Sequence, residues 1–141
     1  MTVRAIISGR DGGVVAISPD ATVADAVKLL ATKRIGAVPV TDGKTVLGIF
    51  SERDVVYGLE RDGAAALDKR VGDVMTSPAL TVEPDAPIIS ALSLMSRRRI
   101  RHLPVVDENG MVGFVSIGDL VKHRIDRIES EAAALRDYIA S

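Results

Sequence analysis

Two pairs of hydroxyl and carboxylate residues recur at the same spacing in the two halves of the chain. Ser51 and Asp54 form the first pair, and Ser116 and Asp119 form the second. Each pair opens a helical pattern after an apolar run, so it can form a capping box that satisfies free helix N–H groups. A helix start also offers N–H donors to a phosphate, and a carboxylate there can accept both hydroxyls of a ribose. Helix caps and a nucleotide site are therefore both open interpretations.

The two pairs belong to an internal repeat with an offset of 65 residues. Residues 17–56 align with residues 82–121 without a gap, and 14 of the 40 positions are identical. A unit of about 60 residues buries too little surface to be stable alone. We therefore expect the two copies to pack face to face, share one core and be related by a pseudo-twofold axis.

Within each copy the hydrophobic period changes in a fixed order. A short apolar run is followed by a helical pattern, by two strand-like runs around a turn, and by the start of a second helix. The predicted strands lie at 14–17, 37–41 and 46–50 in the first copy and at 79–82, 102–106 and 111–115 in the second. The predicted helices lie at 23–34, from 51, at 88–99 and from 116. Each copy reads β-α-β-β-α, which predicts an α/β (α+β) fold.

The chain divides into four predicted segments. They are repeat 1 at 3–62, an Ala-rich linker at 63–72 with helical character, repeat 2 at 73–126, and a C-terminal helix extension at 127–141. In the last helix the apolar residues recur at steps of four and three, which is the spacing of a coiled-coil seam. They are Val121, Ile125, Ile128, Ala132, Leu135 and Ile139. The helix either lies on its own domain or projects and pairs with its copy in a dimer.

Composition excludes several classes of protein. The chain has 141 residues, 47% of them hydrophobic and 26% charged, with a formal charge of −1, so we expect one soluble unit without a general attraction for nucleic acid or membranes. There is no Cys and there are only two His, so we expect no metal site and no catalytic residues. The N-terminal residues lack the apolar region of a signal peptide, and we predict a cytoplasmic protein.

The repeated unit, the Val71–Thr76 lead-in, the Leu103–Asp107 strand and the Gly-x-x-Ser-x-x-Asp elements at 48–54 and 113–119 together resemble a tandem pair of cystathionine-β-synthase (CBS) domains. The resemblance covers residues 3 to 126, and no catalytic domain accompanies it, so the chain resembles a stand-alone bacterial-type CBS pair. It implies a disc-shaped module, usually dimeric, with two clefts that bind AMP, ADP, ATP or another adenosyl compound such as NAD(H) or S-adenosylmethionine. AMP is the expected ligand, and no cofactor is required.

The resemblance also implies roles for single residues. Asp54 and Asp119 would bind ribose, and Ser51 and Ser116 would face the 5′ side of the nucleotide. The adenine would lie against the other repeat in each cleft. This pairs Asp119 with Val15, Ile35 and Gly36, and Asp54 with Leu80, Ile100 and Arg101. Core packing is the alternative role of Ile35 and Ile100.

The two clefts are not expected to be equal. Arg101 and His102 stand where the first copy has the uncharged Gly36 and Ala37. Family members often bind phosphate with His or Arg at these positions, and an Arg can do so with two parallel hydrogen bonds. We therefore expect these two side chains to bind phosphate, and we predict that the Asp119 cleft is the stronger site because of them.

The sequence thus predicts a regulatory adenine-nucleotide sensor that has no catalytic activity, forms a homodimer and acts on a protein target that the sequence does not identify. Two alternatives remain open. One is a ligand-free dimerisation module. The other is a nucleic-acid binder that uses the basic cluster Arg97–Arg101, although this cluster lacks interleaved aromatic residues.

Overall fold

Two antiparallel β-hairpins, one from each repeat, supply the strands of the fold. The computed structural model describes residues 1–10 and 13–140. Strand β1 (Ala37–Thr41) pairs with β2 (Val46–Ser51), and β3 (His102–Asp107) pairs with β4 (Gly110–Ser116). Ala37 lies opposite Ser51 and His102 lies opposite Ser116, so the two registers are equivalent at the offset of the repeat.

The helices predicted from residues 23, 51, 88 and 116 are present, and two short helices that were not predicted precede the aligned parts of the two repeats. In chain order the helices are α1 (Arg4–Ile7), α2 (Val23–Lys33), α3 (Glu52–Asp62), α4 (Val71–Val74), α5 (Ile88–Arg98) and α6 (Ile117–Ala140), with a 3-10 helix at Gly63–Asp68 in the predicted linker. Thr22 and Asp25 form the predicted capping box, with hydrogen bonds of 3.1 and 3.2 Å. Ser141, in the predicted extension, and residues 11–12, in predicted repeat 1, lie outside the described residues.

The first strand of each repeat is shorter than predicted. The runs at 14–17 and 79–82 are reduced to single bridges, in which Ile17 pairs with Val40 and Val82 pairs with Val105, both parallel. The next rung of each parallel ladder would need the backbone N–H of residue 39 or residue 104. Both are Pro and have no N–H, so the ladder cannot extend.

Each repeat has its own core, which corrects the expectation of one shared core. The first cluster contains Val23, Ala26, Leu30, Val38, Val40, Phe50 and Val71, and the second contains Val3, Ile88, Ala91, Met95, Leu103, Val105, Val115 and Leu120. Val71 lies before the aligned part of the second repeat but completes the first core, and Val3 lies before the aligned part of the first repeat but completes the second. Their backbone N–H groups donate to the equivalent carbonyls of Ala21 (2.8 Å) and Ala86 (3.0 Å).

We call residues 1–10 and 71–76 the exchanged segments, because residues 1–10 pack on the second repeat and residues 71–76 pack on the first. The glycines of the repeated elements, Gly48 and Gly113, allow the exchanged segments to approach the strands. A Cβ at Gly113 would lie 2.5 Å from Ile7 Cγ2, and a Cβ at Gly48 would lie 2.6 Å from the Thr76 carbonyl oxygen. Neither distance is possible without displacing the neighbour. The glycine of each Gly-x-x-Ser-x-x-Asp element is therefore explained by packing and not by ligand contact.

Helix α6 continues beyond the body of its own chain. Leu120 is its only fully buried residue within the described part of the chain. The large side chains of the predicted seam are exposed, from 41% at Val121 to 74% at Ile139. This contradicts the interpretation in which the seam lies on its own domain.

We expect both Gly113→Ala and Gly48→Ala to lower the free energy of unfolding by about 1–3 kcal/mol, because the added methyl group overpacks a filled contact. Gly48→Ala should be at least as harmful, since its nearest neighbour is backbone. Gly9→Ala is the control, because a Cβ there meets nothing within 4 Å. Chemical denaturation measures all three, and wild-type stability of both test variants would contradict the packing role.

Candidate functional site

Two clefts lie between the repeats, at positions related by the pseudo-twofold axis. The larger has a volume of about 580 Å³ and the smaller about 360 Å³. Both values lie in the range of ordinary small-molecule sites. The larger cleft is lined by Ile7, Arg10, Gly13, Val14, Val15, Arg34, Ile35, Gly36, Ala37, His102, Val112, Gly113, Phe114, Ser116 and Asp119. The smaller cleft is lined by Gly36, Ile49, Ser51, Glu52, Arg53, Asp54, Thr76, Arg99, Ile100, Arg101 and His102.

Most of the predicted site residues lie together in these clefts. The larger cleft brings together Val15, Ile35, Gly36, Ser116 and Asp119. In the smaller cleft are Ser51, Asp54, Ile100 and Arg101. His102 borders both clefts. The predicted cross-repeat pairing of Asp119 with Val15, Ile35 and Gly36, and of Asp54 with Ile100 and Arg101, is therefore present in the geometry.

Two positions differ from the expectation. Leu80 lines neither cleft among the described residues and is 37% exposed. Val82 pairs with Val105 in a single parallel bridge, and residue 80 lies outside this bridge. Arg101 lines the Asp54 cleft only. This position agrees with the predicted pairing of Arg101 with Asp54. The prediction that Arg101 strengthens the Asp119 cleft is wrong, because Arg101 lines the other cleft.

Asp119 both caps α6 and faces the larger cleft. Its Oδ2 accepts the Ser116 N–H at 2.8 Å, and its own N–H donates to Ser116 Oγ at 3.1 Å, so the capping box is complete. The Arg10 guanidinium lies 2.6 Å from the same Oδ2. Within the described residues, Asp119 Oδ1 accepts no hydrogen bond. The carboxylate therefore keeps one oxygen for a ligand.

Both carboxylate oxygens of Asp54 accept hydrogen bonds, in contrast to those of Asp119. Its Oδ2 accepts the Ser51 N–H at 2.9 Å and the Ser51 hydroxyl at 3.3 Å. Its Oδ1 accepts the Thr76 hydroxyl at 3.2 Å. A ribose in this cleft would have to compete with Thr76. The capping and ligand-binding interpretations are thus compatible at both sites, but they leave Asp119 with the freer carboxylate oxygen.

The electrostatic environment keeps Asp119 ionised. Burial is the largest single influence and opposes ionisation, but the Ser116 N–H and the Arg10 guanidinium together lower the pKa of Asp119 below its ordinary value. Arg10 also donates to the Phe114 carbonyl oxygen at 2.6 Å, so its guanidinium is held at the cleft wall. The larger cleft therefore offers an anionic acceptor beside a fixed cation.

His102 lies between the two clefts in its neutral form. Its ring stacks on Phe114, with centroids 5.4 Å apart and planes 11° from parallel. Burial lowers the pKa of His102 below its ordinary value, and Arg101 lowers it further, while Asp119 and Glu52 oppose this only in part. A neutral imidazole can donate one hydrogen bond to a phosphate but adds no positive charge at neutral pH.

Sequence reasoning missed six polar residues that line the clefts: Arg10, Arg34, Glu52, Arg53, Thr76 and Arg99. Arg34 and Arg99 end α2 and α5 in the left-handed conformation, with φ of 53° and 54°. This conformation is unfavourable for a residue with a Cβ, and such strain is concentrated at functional sites. Their identity in both repeats was the available signal. Arg10 lies outside the aligned repeat, and nothing in its spacing indicated a role.

Comparison with known proteins agrees with this architecture. The CBS domain family matches residues 6–61 and 71–126. The chain belongs to the CBS domain family. The CBS domain-containing protein CBSX3, mitochondrial, from Arabidopsis thaliana is 36% identical over 134 residues, which cover 92% of this chain and 65% of that relative. The chain thus spans slightly less than two thirds of the length of this relative.

Solved CBS structures have the same fold. A CBS-domain containing protein from Agrobacterium tumefaciens is 35% identical, with a TM-score of 0.83 over 88% of this chain and 99% of that one. CBSX2 in complex with AMP is 28% identical, with a TM-score of 0.75 over 89% of this chain and 96% of that one. The predicted family and the predicted α/β (α+β) fold of a CBS pair are therefore confirmed.

None of the helices formed by residues 1–10 and 13–140 combines the length and the apolar character needed to cross a bilayer. In the same part of the chain, no three His, Asp or Glu side chains are grouped in a way that could hold a metal ion.

The state of His102 makes stability depend on pH. Because its pKa is lower in the folded protein, the stability from the neutral imidazole is complete above pH 6.5 and is lost as the pH falls toward the folded pKa. The melting temperature should therefore decline as the pH falls from about 7 toward the folded pKa of His102, and His102→Gln should make this decline shallower. Asp119 does not contribute in this range, because its pKa lies below its ordinary value. An equal decline in both proteins would contradict the assignment.

Proposed function

We propose that this CBS pair is a regulatory module that binds an adenine nucleotide, with AMP as the first candidate, and has no catalytic activity of its own. The observation that carries the proposal is the composition of the larger cleft. One repeat supplies an ionised carboxylate at a helix start, and the other repeat supplies apolar and backbone groups of the kind that surround a base.

The related proteins support this proposal. CBSX2 was solved in complex with AMP. Which of AMP, ADP, ATP, NAD(H) or S-adenosylmethionine binds best is part of the test.

The residue roles that we propose follow the geometry. Asp119 binds the ribose hydroxyls, Ser116 and the start of α6 face the 5′ side, and Val15, Ile35 and Gly36 contact the adenine. Arg10 and Arg34 are the cations nearest to the phosphate in this cleft. In the smaller cleft the corresponding residues are Asp54, Ser51 and Ile100, with Arg99 and Arg101 as cations. His102 can donate to a ligand from either side, and Leu80 is left out.

The asymmetry between the clefts has a revised basis. Arg101 lines the smaller cleft and cannot make the Asp119 cleft the stronger site. The features that favour nucleotide binding in the Asp119 cleft are its larger volume, the free Oδ1 of Asp119 and the adjacent Arg10. Arg10 must exchange its carboxylate contact in part for the phosphate when a nucleotide binds. Since residues of both repeats line each cleft, a bound ligand can shift the packing of one repeat against the other, provided that it binds the two arrangements unequally.

A dimerisation module is the second candidate function, and one observation favours it. The seam of α6 is exposed in the single chain, as a helix that pairs with another copy would be. We therefore also propose that the chain forms a homodimer. A nucleic-acid binder is disfavoured, because two arginines of the basic cluster, Arg99 and Arg101, line the smaller cleft. The cytoplasmic location and the regulated protein target stay predictions.

Asp119→Asn tests the ribose contact. It keeps an oxygen for the Ser116 N–H but loses the charge, so we expect AMP affinity to fall by about tenfold or more, which corresponds to roughly 1.4 kcal/mol. Asp54→Asn is the matched control and should have a smaller effect. Isothermal titration calorimetry measures both after circular dichroism has shown that each variant is folded. Equal losses would contradict the asymmetry. If the wild-type protein binds none of the adenosyl compounds, the sensor proposal is wrong and the dimerisation module remains.

The absence of catalysis is tested with the same ligands. Purified protein incubated with ATP, ADP or AMP should return each nucleotide unchanged, because the described residues form no group that could hold a catalytic metal ion. Anion-exchange chromatography of the mixture measures this. Hydrolysis that copurifies with the wild-type protein and is lost in Ser116→Ala would show an enzyme instead.

A further inference from the structure

A line of apolar side chains on α6 is exposed in the part of the chain that the structure describes. Val121, Ile125 and Ile128 are 41%, 49% and 51% exposed, and Leu135 and Ile139 are 59% and 74% exposed. On the opposite side of the helix, Leu120 is fully buried and the Nε2 atom of His123 is buried, so this side holds α6 to its own body. A continuous apolar seam in water indicates an interaction surface.

The charges beside the seam distinguish between possible partners. With Ile125, Ala132 and Ile139 as the first core position of each heptad, Arg124 and Glu131 occupy one flank, and Glu129 and Arg136 occupy the other. In a parallel pair in register, each residue of the flank that contains Arg124 and Glu131 faces the residue five positions later in the second copy. Arg124 would then face Glu129, and Glu131 would face Arg136. Both contacts join opposite charges on each side of the seam.

An antiparallel pair that uses the whole seam would bring like charges together. Its centre would lie between Ile128 and Ala132, so Glu129 would face Glu129 of the second copy, and Glu131 would face Glu131. Lys122 would face Arg136. All of these contacts join like charges, which are destabilising. Antiparallel registers with better charge contacts are displaced by one heptad and leave two of the large seam residues uncovered.

The charges that would make the parallel contacts are available. Among the described residues, Arg124, Glu129 and Arg136 form no ion pair. Glu131 accepts a hydrogen bond from Arg127 Nε at 3.2 Å within the same helix. The contact between Arg124 and Glu129 of the second copy can therefore form without breaking an existing ion pair.

We propose that α6 binds α6 of a second copy of this chain as a parallel, in-register coiled coil over residues 121–139. This inference rests on the proposed homodimer and specifies its orientation. The seam is about 28 Å long at 1.5 Å per residue. A parallel pair places both bodies at the same end of the coil, with the two Asp119 clefts beside the dimer axis. Asp119 lies only two residues before Val121, so the larger cleft and the seam share one rigid helix.

Cysteine cross-linking tests the orientation directly, because the chain contains no Cys. Leu135→Cys places a thiol in the seam opposite its own copy, where the Cα atoms come within the roughly 7 Å that a disulfide needs. We expect nearly complete disulfide dimers of this variant under mild oxidation. Ser130→Cys, on the outer side of α6, is the matched control and should stay uncross-linked.

Every outcome of this experiment is informative. If Leu135→Cys does not cross-link but a mixture of Leu135→Cys and Ile125→Cys chains does, the pair is antiparallel and the inference is wrong. If neither cross-links while sedimentation shows a dimer, the dimer forms through another surface, and the homodimer proposal survives without the inference. If the wild-type protein sediments as a monomer at micromolar concentration, both are wrong.

A charge exchange tests the register. Arg124→Glu and Glu129→Arg should each weaken dimerisation roughly three- to tenfold, because each places like charges together on both sides of the seam. The double variant should restore the wild-type dissociation constant. Ser130→Glu is the control that adds a charge outside the seam. Analytical ultracentrifugation measures the constants, and a double variant as weak as the two single variants would overturn the proposed register.

Discussion

Each repeat completes its hydrophobic core with a buried valine from the segment that precedes the other repeat. Val71 fills the first core and Val3 fills the second, and both are fully buried. Burying one such side chain contributes about 1.5–3 kcal/mol, which is a large share of the stability of a 60-residue unit. Neither repeat can therefore keep its complete core without the other. The reciprocal exchange, more than a common core, makes the two repeats one folding unit.

The exchanged segments also determine what each cleft contains. The first one passes β4 at Gly113 and brings Arg10 to Asp119. The second passes β2 at Gly48 and brings Thr76 to Asp54. One carboxylate thus meets a cation and the other meets a hydroxyl. The clefts have equivalent backbones but different chemistry, because the connecting segments diverge more than the repeats do.

Helix α6 joins the two surfaces on which the proposals rest. Its first turn contains Asp119, whose capping contacts hold the carboxylate at the cleft. Two residues later the exposed seam begins, and it continues to the end of the helix. Because an intact α-helix is stiff over this length, a change in the tilt of α6 at the cleft would be carried along the seam. The larger cleft has this connection, whereas the smaller cleft is followed by the shorter helix α3, which ends at Asp62.

The sequence by itself determined the repeat, the family and nearly every element, because hydrophobic period and local turn and capping chemistry act over a few residues. The helices at 23–33 and 88–98 and the two hairpins lie within one or two residues of their predicted bounds. Tertiary structure decided what depends on distant neighbours. Pro39 and Pro104 lack the N–H groups that would extend the parallel pairing, so the strands predicted at 14–17 and 79–82 are reduced to single bridges. Arg10 reaches Asp119, a contact that no local pattern encodes because it is set by how two remote segments pack.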